Sequence, residues 1–121
     1  MKDTITNDVG LKETTIDSQQ VYDGHFLNAW RDMVELPNGK TAAREYLKHP
    51  GAVMVIPVFD NDDVLIVRQY RYPLHGVFAE FPAGKKDAGE EPLFTGQREL
   101  LEETGYVASE WLHVTDIHNA I

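Results

Sequence analysis

The 121-residue sequence contains no cysteine, comparatively few basic residues and no long apolar run. The lack of cysteine excludes a disulfide framework and a thiolate-ligated zinc site. No apolar stretch approaches the roughly 18 residues that a membrane-spanning helix needs. The polar residues 1–15 also lack the apolar core of a signal peptide. We therefore expect a cytoplasmic protein.

Basic side chains are scarce, because 11 lysines and arginines stand against 20 acidic residues and give a formal net charge of −9. Such a charge repels phosphate groups, so nucleic acids and membrane surfaces are not expected as partners. The same charge disfavours a small anionic substrate unless metal cations or a local basic cluster offset it. The length suits one globular domain.

The N-terminal third of the sequence predicts an antiparallel ribbon. Residues 1–20 are polar and weakly periodic, so we expect them to be peripheral. Residues 21–36 and 40–47 then flank Pro37-Asn38-Gly39, and Asn-Gly between two extended runs is a strong hairpin signal. These two runs are predicted to pair as a two-stranded ribbon.

The central and C-terminal parts predict further strands. Residues 49–59 are almost wholly apolar, which is typical of a strand buried on both faces. We expect this strand to form a hairpin with residues 64–70. A short strand is expected within residues 76–84, before a Pro-Gly stop, and another over residues 109–117.

One helix is predicted between Pro92 and about Thr104. Proline suits the first helical position, where its missing N–H is no loss, and Gly105 suits the left-handed cap that ends a helix. Residues 85–91 form the preceding loop. Gly96 lies mid-helix, where glycine is unfavourable; it either permits close packing or is a neutral change.

This helix carries three glutamates on one side. At roughly 100° per residue, Glu99, Glu102 and Glu103 share a face, opposite an apolar stripe. They lie in the C-terminal half, where the helix dipole disfavours anions, and no lysine or arginine four residues away is expected to compensate them. Clustered carboxylates are the ligands that Mg²⁺ or Mn²⁺ prefers. A solvated acidic face is the alternative.

A longer pattern surrounds these glutamates. It runs G-x5-E-x7-R-E-U-x-E-E-x-G-U, where U is a bulky aliphatic residue, and it resembles the signature box of the Nudix hydrolases. Only Tyr106 departs from it, at the last position. The fixed polar and glycine positions are Gly84, Glu90, Arg98, Glu99, Glu102, Glu103 and Gly105.

The resemblance implies a role for each member of the box. Glu99 and Glu103 would be the principal metal ligands and Glu102 a further ligand, while Arg98 would orient these carboxylates. Glu90 would close the loop through hydrogen bonds. Gly84 would provide a turn into the loop, and Gly105 the helix cap.

The implied fold is of the α/β (α+β) class. It is a Nudix-type α/β/α sandwich with a mixed sheet plus an N-terminal antiparallel ribbon, apparently truncated at the C-terminus. Residues 1–48 would form the ribbon and residues 49–121 a Nudix domain that is incomplete at its C-terminal end. The family's general base is expected beyond residue 121.

Three further segments narrow the resemblance to the bacterial ADP-ribose pyrophosphatase subgroup: HPGAV (49–53), VRQYR (67–71) and EFPAGK (80–85). This subgroup hydrolyses the diphosphate bond of ADP-ribose with Mg²⁺ or Mn²⁺. The resemblance makes Ala83 a metal ligand through its carbonyl and Arg71 a ligand of the diphosphate. Glu80 and Lys85 would line the substrate site.

The ribbon would complete the substrate site in this subgroup. Tyr22, Arg44 and Glu45 match positions that contact adenine or ribose. Such ribbons are exchanged between two protomers, so the resemblance implies a homodimer. Hydrolysis of another nucleoside diphosphate sugar, such as GDP-mannose, and a catalytically silent Nudix-type binding module remain alternatives.

Overall fold

A computed structural model of the protein describes residues 8–118. The chain divides into two compact units: the first contains the described residues up to His49 together with His118, and the second contains Pro50–Ile117. Among the described residues, no helix combines the length and the hydropathy that crossing a bilayer requires.

The first unit is a three-stranded antiparallel sheet of β1 (Thr14–Asp23), β2 (Asn28–Glu35) and β3 (Thr41–Leu47), in that order. The Asn-Gly turn joins β2 to β3 as predicted. Gly39 has φ +77° there, and its N–H donates to the Leu36 carbonyl over 2.9 Å. The hairpin prediction is therefore confirmed.

The start of this sheet differs from the prediction. β1 occupies part of the segment expected to be peripheral, and residues 1–7 lie outside the described residues. All ten side chains of β1 are exposed, so the strand is defined by its backbone ladder to β2. Its sequence therefore lacks the alternation of apolar and polar residues that would have predicted a strand. The predicted strand over 21–36 is interrupted by a turn, in which the Gly24 N–H donates to the Leu27 carbonyl.

The second unit contains two antiparallel strand pairs, one α-helix and a short 3₁₀ helix at Tyr72–Leu74. In it β4 (Ala52–Met54) pairs with β7 (Ala83–Lys85), β5 (Val67–Arg71) pairs with β6 (Gly76–Glu80), and α1 covers Pro92–Thr104. The helix begins at the predicted proline and ends at Gly105, which has φ +76° and donates its N–H to the Leu101 carbonyl. Both predicted helix boundaries are confirmed.

The predicted hairpin of residues 49–59 with residues 64–70 is confirmed close to its turn, but it is short. Residues 49–59 and 64–70 meet only near the turn at 60–63, through an isolated Val58–Val64 bridge and a Leu65 N–H donated to the Pro57 carbonyl. The extended pairing of β5 is with β6 instead. Local turn residues predicted the reversal of the chain, but the ladder depends on distant residues.

Two further predictions are wrong, one about the burial of a strand and one about the existence of a strand. The β4 region is buried on one face only, because α1 packs on that face and leaves Met54 57% exposed while Val55 is buried. Residues 109–117 form no strand, and no described strand pairs with them. A β-branched run needs an adjacent backbone ladder as well as the right side chains.

The core of the second unit lies where α1 crosses β4. Leu100 is 1% exposed. A side chain on Gly96 would meet Trp111 at 3.3 Å and both Val53 and Val55 at 3.4 Å. The mid-helix glycine therefore permits the close approach of the helix to the strand.

Candidate functional site

Arg98 is the centre of a hydrogen-bonded carboxylate network. Its Nε and Nη2 donate to the two Glu90 oxygens over 3.0 and 2.9 Å. Its Nη1 donates to Glu99 over 2.7 Å and to Glu102 over 3.3 Å. Nη2 also reaches the Lys85 carbonyl at 3.1 Å. One guanidinium thus joins the end of β7, the following loop and the acidic face of α1.

This network corrects one expectation. No basic residue four positions away was expected to compensate the glutamates, yet Arg98 pairs with Glu102 at that spacing, and also with Glu99. The arginine precedes both acids in the chain, and its long side chain lies along the same face. The like-charge repulsion on this face is therefore partly offset by the protein itself.

Glu90 closes the loop before α1. Besides Arg98, it accepts hydrogen bonds from the Asp87 N–H over 3.1 Å and from the Thr95 hydroxyl over 2.8 Å. The Arg98 bond, and then these two, lower the pKa of Glu90 to about 2. The Glu90 and Glu99 carboxylates in turn raise the pKa of Arg98. All four donors stabilise the ionised carboxylate.

Glu99 lies directly against Gly84. The Glu99 side chain is 13% exposed, and a Cβ on Gly84 would overlap its carboxylate. Gly84 is paired with Val53 inside the β4–β7 ladder, so the expected turn at this position is wrong. A glycine is required there because the carboxylate occupies the space of a side chain.

The far end of α1 is tied to the same strand. The Ala83 N–H donates to Glu103 over 3.2 Å, which holds this carboxylate beside β7. Gly105 ends the helix two residues later. Glu99 and Glu103 therefore both lie beside β7, at successive turns of α1.

Arg71 and Glu80 form an ion pair on one face of the β5–β6 ladder. Arg71 Nε donates to the Glu80 oxygens over 2.9 and 3.1 Å. This pairing lowers the pKa of Glu80 and raises that of Arg71, and the charge of Glu103 raises the pKa of Arg71 further. Arg71 is thus within electrostatic reach of the acidic face. Arg68 points to the opposite face and is exposed.

Comparison with known proteins identifies the family. Residues 48–120 match the family model of the NUDIX domain, which is more than half of the chain. The chain belongs to the Nudix family. Residues 13–47 match the nucleoside diphosphate sugar hydrolase N-terminal domain. The family expected from the signature box is therefore confirmed.

Individual curated proteins are similar to most of this chain. The chain is 44% identical to the ADP-ribose pyrophosphatase of Bacillus subtilis (strain 168), over 91% of this chain and 60% of that protein. It is 47% identical to the methanol dehydrogenase activator of Bacillus methanolicus, over 84% of this chain and 56% of that protein. The chain therefore spans little more than half the length of these relatives.

A solved structure confirms the expected fold class. The crystal structure of an ADP compounds hydrolase superimposes with a TM-score of 0.72 at 27% identity, covering 82% of this chain and 54% of that one. Every strand pairing among residues 8–118 is antiparallel, and α1 is their one α-helix.

The structure brings most of the predicted site residues into the second unit. Of the substrate-site predictions, Arg71, Glu80 and Lys85 lie there together with the Nudix box. The Nudix box residues themselves are joined by the contacts of Arg98 and by the Ala83 and Gly84 contacts described above.

The other three predicted residues belong to the first unit. Tyr22 is 57% exposed and packs against Gly24. Arg44 donates to Glu13, and Glu45 accepts from Arg31 over 2.8 Å. The strand register puts Tyr22 and Glu45 on one face of the sheet and Arg44 on the other.

The acidic face fits a divalent cation by the chemistry of its donors. Glu99, Glu102 and Glu103 supply hard carboxylate oxygens within one and a half helical turns, which is the ligand type that Mg²⁺ requires. In the orientations described for residues 8–118, no three acidic or histidine side chains converge on one point. Arg98 and the Ala83 N–H hold these carboxylates, so a cation must compete with both donors.

Sequence reasoning missed one member of the network. Thr95 was not among the predicted residues, yet its hydroxyl donates to Glu90 and its side chain is fully buried. A hydroxyl residue one helical turn before Glu99, on the same face, was the available signal.

Proposed function

We propose that the chain hydrolyses the diphosphate bond of ADP-ribose to AMP and ribose 5-phosphate, with Mg²⁺ or Mn²⁺ as the cofactor. The observation that carries this proposal is the Nudix box, in which Arg98 joins Glu90, Glu99 and Glu102 in one network. The 44% identity to a protein named ADP-ribose pyrophosphatase supports the substrate.

The acidic face of α1 is assigned to the metal. Glu99, Glu102 and Glu103 would hold the cation together with the Ala83 carbonyl. When bound, a divalent cation neutralises phosphate oxygens and lowers the pKa of a water molecule. Arg98 orients Glu99 and Glu102 through its hydrogen bonds, and Glu90 fixes Arg98.

Arg71 is assigned to the diphosphate. Its planar guanidinium suits bidentate recognition of phosphate, and it would exchange Glu80 for substrate oxygens. Lys85 and Glu80 would line the same site. A basic group here would resolve the conflict between an anionic substrate and a protein of net charge −9.

The first unit is assigned to the nucleoside. Residues 1–48 would act as the exchanged ribbon of a homodimer and residues 49–121 as the Nudix domain. Tyr22 and Glu45, on one face, and Arg44, on the other, would contact adenine or ribose. The apolar side chains exposed on this sheet support an association surface; they are Ile16, Val21, Met33 and Leu47. Sedimentation analysis that finds only monomer would contradict the dimer.

Another nucleoside diphosphate sugar, such as GDP-mannose, is the second candidate substrate. The match of residues 13–47 to a nucleoside diphosphate sugar hydrolase domain supports this broader class. A panel of ADP-ribose, GDP-mannose and other nucleoside diphosphate sugars, assayed with Mg²⁺ and with chelator, ranks them. Nucleoside monophosphate release should require the metal and be fastest with ADP-ribose.

A matched pair of variants sharpens this experiment. Glu99→Gln removes one carboxylate charge from the acidic face, whereas Glu110→Gln removes one from an exposed position outside the box. We expect the first variant to lose metal-dependent release and the second to keep it. Tight binding of ADP-ribose by the unaltered chain without release would replace the hydrolase proposal with a binding module.

A further inference from the structure

Thr95 is the buried polar side chain of the described residues, with 0% exposure, at the end of the first turn of α1. Its hydroxyl lies 2.8 Å from Glu90 Oε2 and 3.3 Å from the Glu91 carbonyl. A hydroxyl carries a single proton, so it can donate to only one of these acceptors at a time.

The proton belongs with Glu90. The Glu91 carbonyl already accepts the Thr95 backbone N–H over 3.1 Å, so it is satisfied without the hydroxyl. Glu90 is an ionised carboxylate and therefore the stronger and nearer acceptor. The side chain thus bonds out of the helix, to the preceding loop, instead of folding back on its own helix.

The acceptor atom connects Thr95 to the rest of the site. Glu90 Oε2 also receives Arg98 Nη2 over 2.9 Å, and Arg98 Nη1 then reaches Glu99. The side chain of Glu90 is 17% exposed and that of Arg98 is 28% exposed, whereas Thr95 is fully buried. Of these three linked side chains, Thr95 is therefore the one that is held in the core.

We propose that Thr95 is a positioning residue for the metal-binding carboxylates. Its hydroxyl fixes the orientation of Glu90, Glu90 fixes the guanidinium of Arg98, and Arg98 fixes Glu99. This inference rests on the proposed function, since it concerns the same carboxylates. It differs from a packing role, in which the methyl group of Thr95 would matter and the hydroxyl would not.

Two substitutions separate the hydroxyl from the methyl group. Thr95→Val keeps the shape and removes the donor, whereas Thr95→Ser keeps the donor and removes a methyl group. Mutating a residue that supports a metal ligand through hydrogen bonds typically costs about 10- to 100-fold in metal affinity or activity. We therefore expect Thr95→Val to lower the Mn²⁺ affinity and kcat/KM by about that factor. The loss should fall on kcat more than on KM, and Thr95→Ser should restore both.

A spectroscopic signal follows Arg98 itself. In ¹⁵N-labelled protein, the Arg98 Nε–H resonance should move and broaden in Thr95→Val, and should stay in place in Thr95→Ser. Urea unfolding of both variants checks that they are folded. Thr95→Val should add nothing in a Glu90→Gln background, because the effect passes through Glu90.

Three results would overturn the proposal. In the first, Thr95→Val folds and keeps the Mn²⁺ affinity and the Arg98 signal of the unaltered chain. In the second, Thr95→Ser is impaired as much as Thr95→Val. In the third, neither Thr95→Val nor Thr95→Ala folds. The last would assign Thr95 to folding. If the unaltered chain released no AMP, the proposed function would fail, while Mn²⁺ binding and the Arg98 signal would still decide the role of Thr95.

Discussion

Replacing Gly84 with alanine tests whether the carboxylate of Glu99 must lie where it does. A Cβ at this position would overlap the Glu99 carboxyl group, so the group must withdraw by roughly one ångström. The backbone is not strained by the change, since Gly84 is not among the glycines with positive φ. The chain can therefore stay folded while the proposed metal ligand Glu99 is displaced.

The expected effect is large on activity and small on stability. A misplacement of about 1 Å in a reacting site can cost about 100-fold in rate, and we expect a loss of that order in kcat/KM for ADP-ribose with Mg²⁺. Gly→Ala restricts the unfolded chain and by itself stabilises a protein by about 0.4–1 kcal/mol. Urea unfolding should therefore detect little net destabilisation.

The assay is AMP release, with Mn²⁺ affinity as a second measurement. Gly10→Ala is the matched control, because a Cβ at that position meets nothing within 4 Å. Gly84→Ala should lose little further activity in a Glu99→Gln background, since both changes act on the same ligand. A folded Gly84→Ala variant with unchanged kcat/KM and Mn²⁺ affinity would refute the role assigned to Glu99.

Further predictions concern the acidic face, the diphosphate, the core and pH. Glu103→Gln should abolish metal-dependent AMP release with an unchanged circular dichroism spectrum, and retained release would remove Glu103 from the metal site. Arg71→Ala should mainly raise KM, and an unchanged KM would separate Arg71 from the substrate. Leu100→Ala should cost about 2–5 kcal/mol in urea unfolding, because the side chain is 1% exposed; a smaller cost would mean that the site collapses around the cavity. The pKa of Glu90 is lowered to about 2 from 4.5, so its stabilising contribution is complete above pH 4.5 and is lost as the pH falls towards 2. Glu90→Gln should therefore make the free energy of unfolding depend less on pH in that window. An equally steep pH dependence would contradict the assignment.

The helix was predictable because its ends depend on local backbone chemistry. Pro92 suits only the first turn, and Gly105 can adopt the positive φ that ends α1. The strand partners were not predictable in the same way. The predicted hairpin between residues 49–59 and 64–70 is short, and the extended ladder of β5 is with β6. A turn sequence shows where the chain reverses and does not show which backbone supplies the longer ladder.

The site was predictable as a set of residues and less so as a set of contacts. The box spacing placed Glu90, Arg98 and Glu99 in one unit of the fold. It did not show that Glu99 takes the place of a side chain on Gly84, because that contact depends on how close α1 lies to β7. The contribution of Thr95 was missed for a related reason: its position one turn before Glu99 can be read from the sequence, but its acceptor in the preceding loop cannot.

Arg98 explains how a helix with an acidic face can be stable. Its guanidinium contacts Glu90, Glu99 and Glu102, so the closest like charges are bridged and the helix is stable despite them. One positive charge against three carboxylates still leaves this group of side chains negative, and Glu103 adds a fourth carboxylate held by a backbone N–H. The residual charge is what a divalent cation can neutralise. Partial compensation by Arg98 is therefore compatible both with a stable helix and with the proposed metal site.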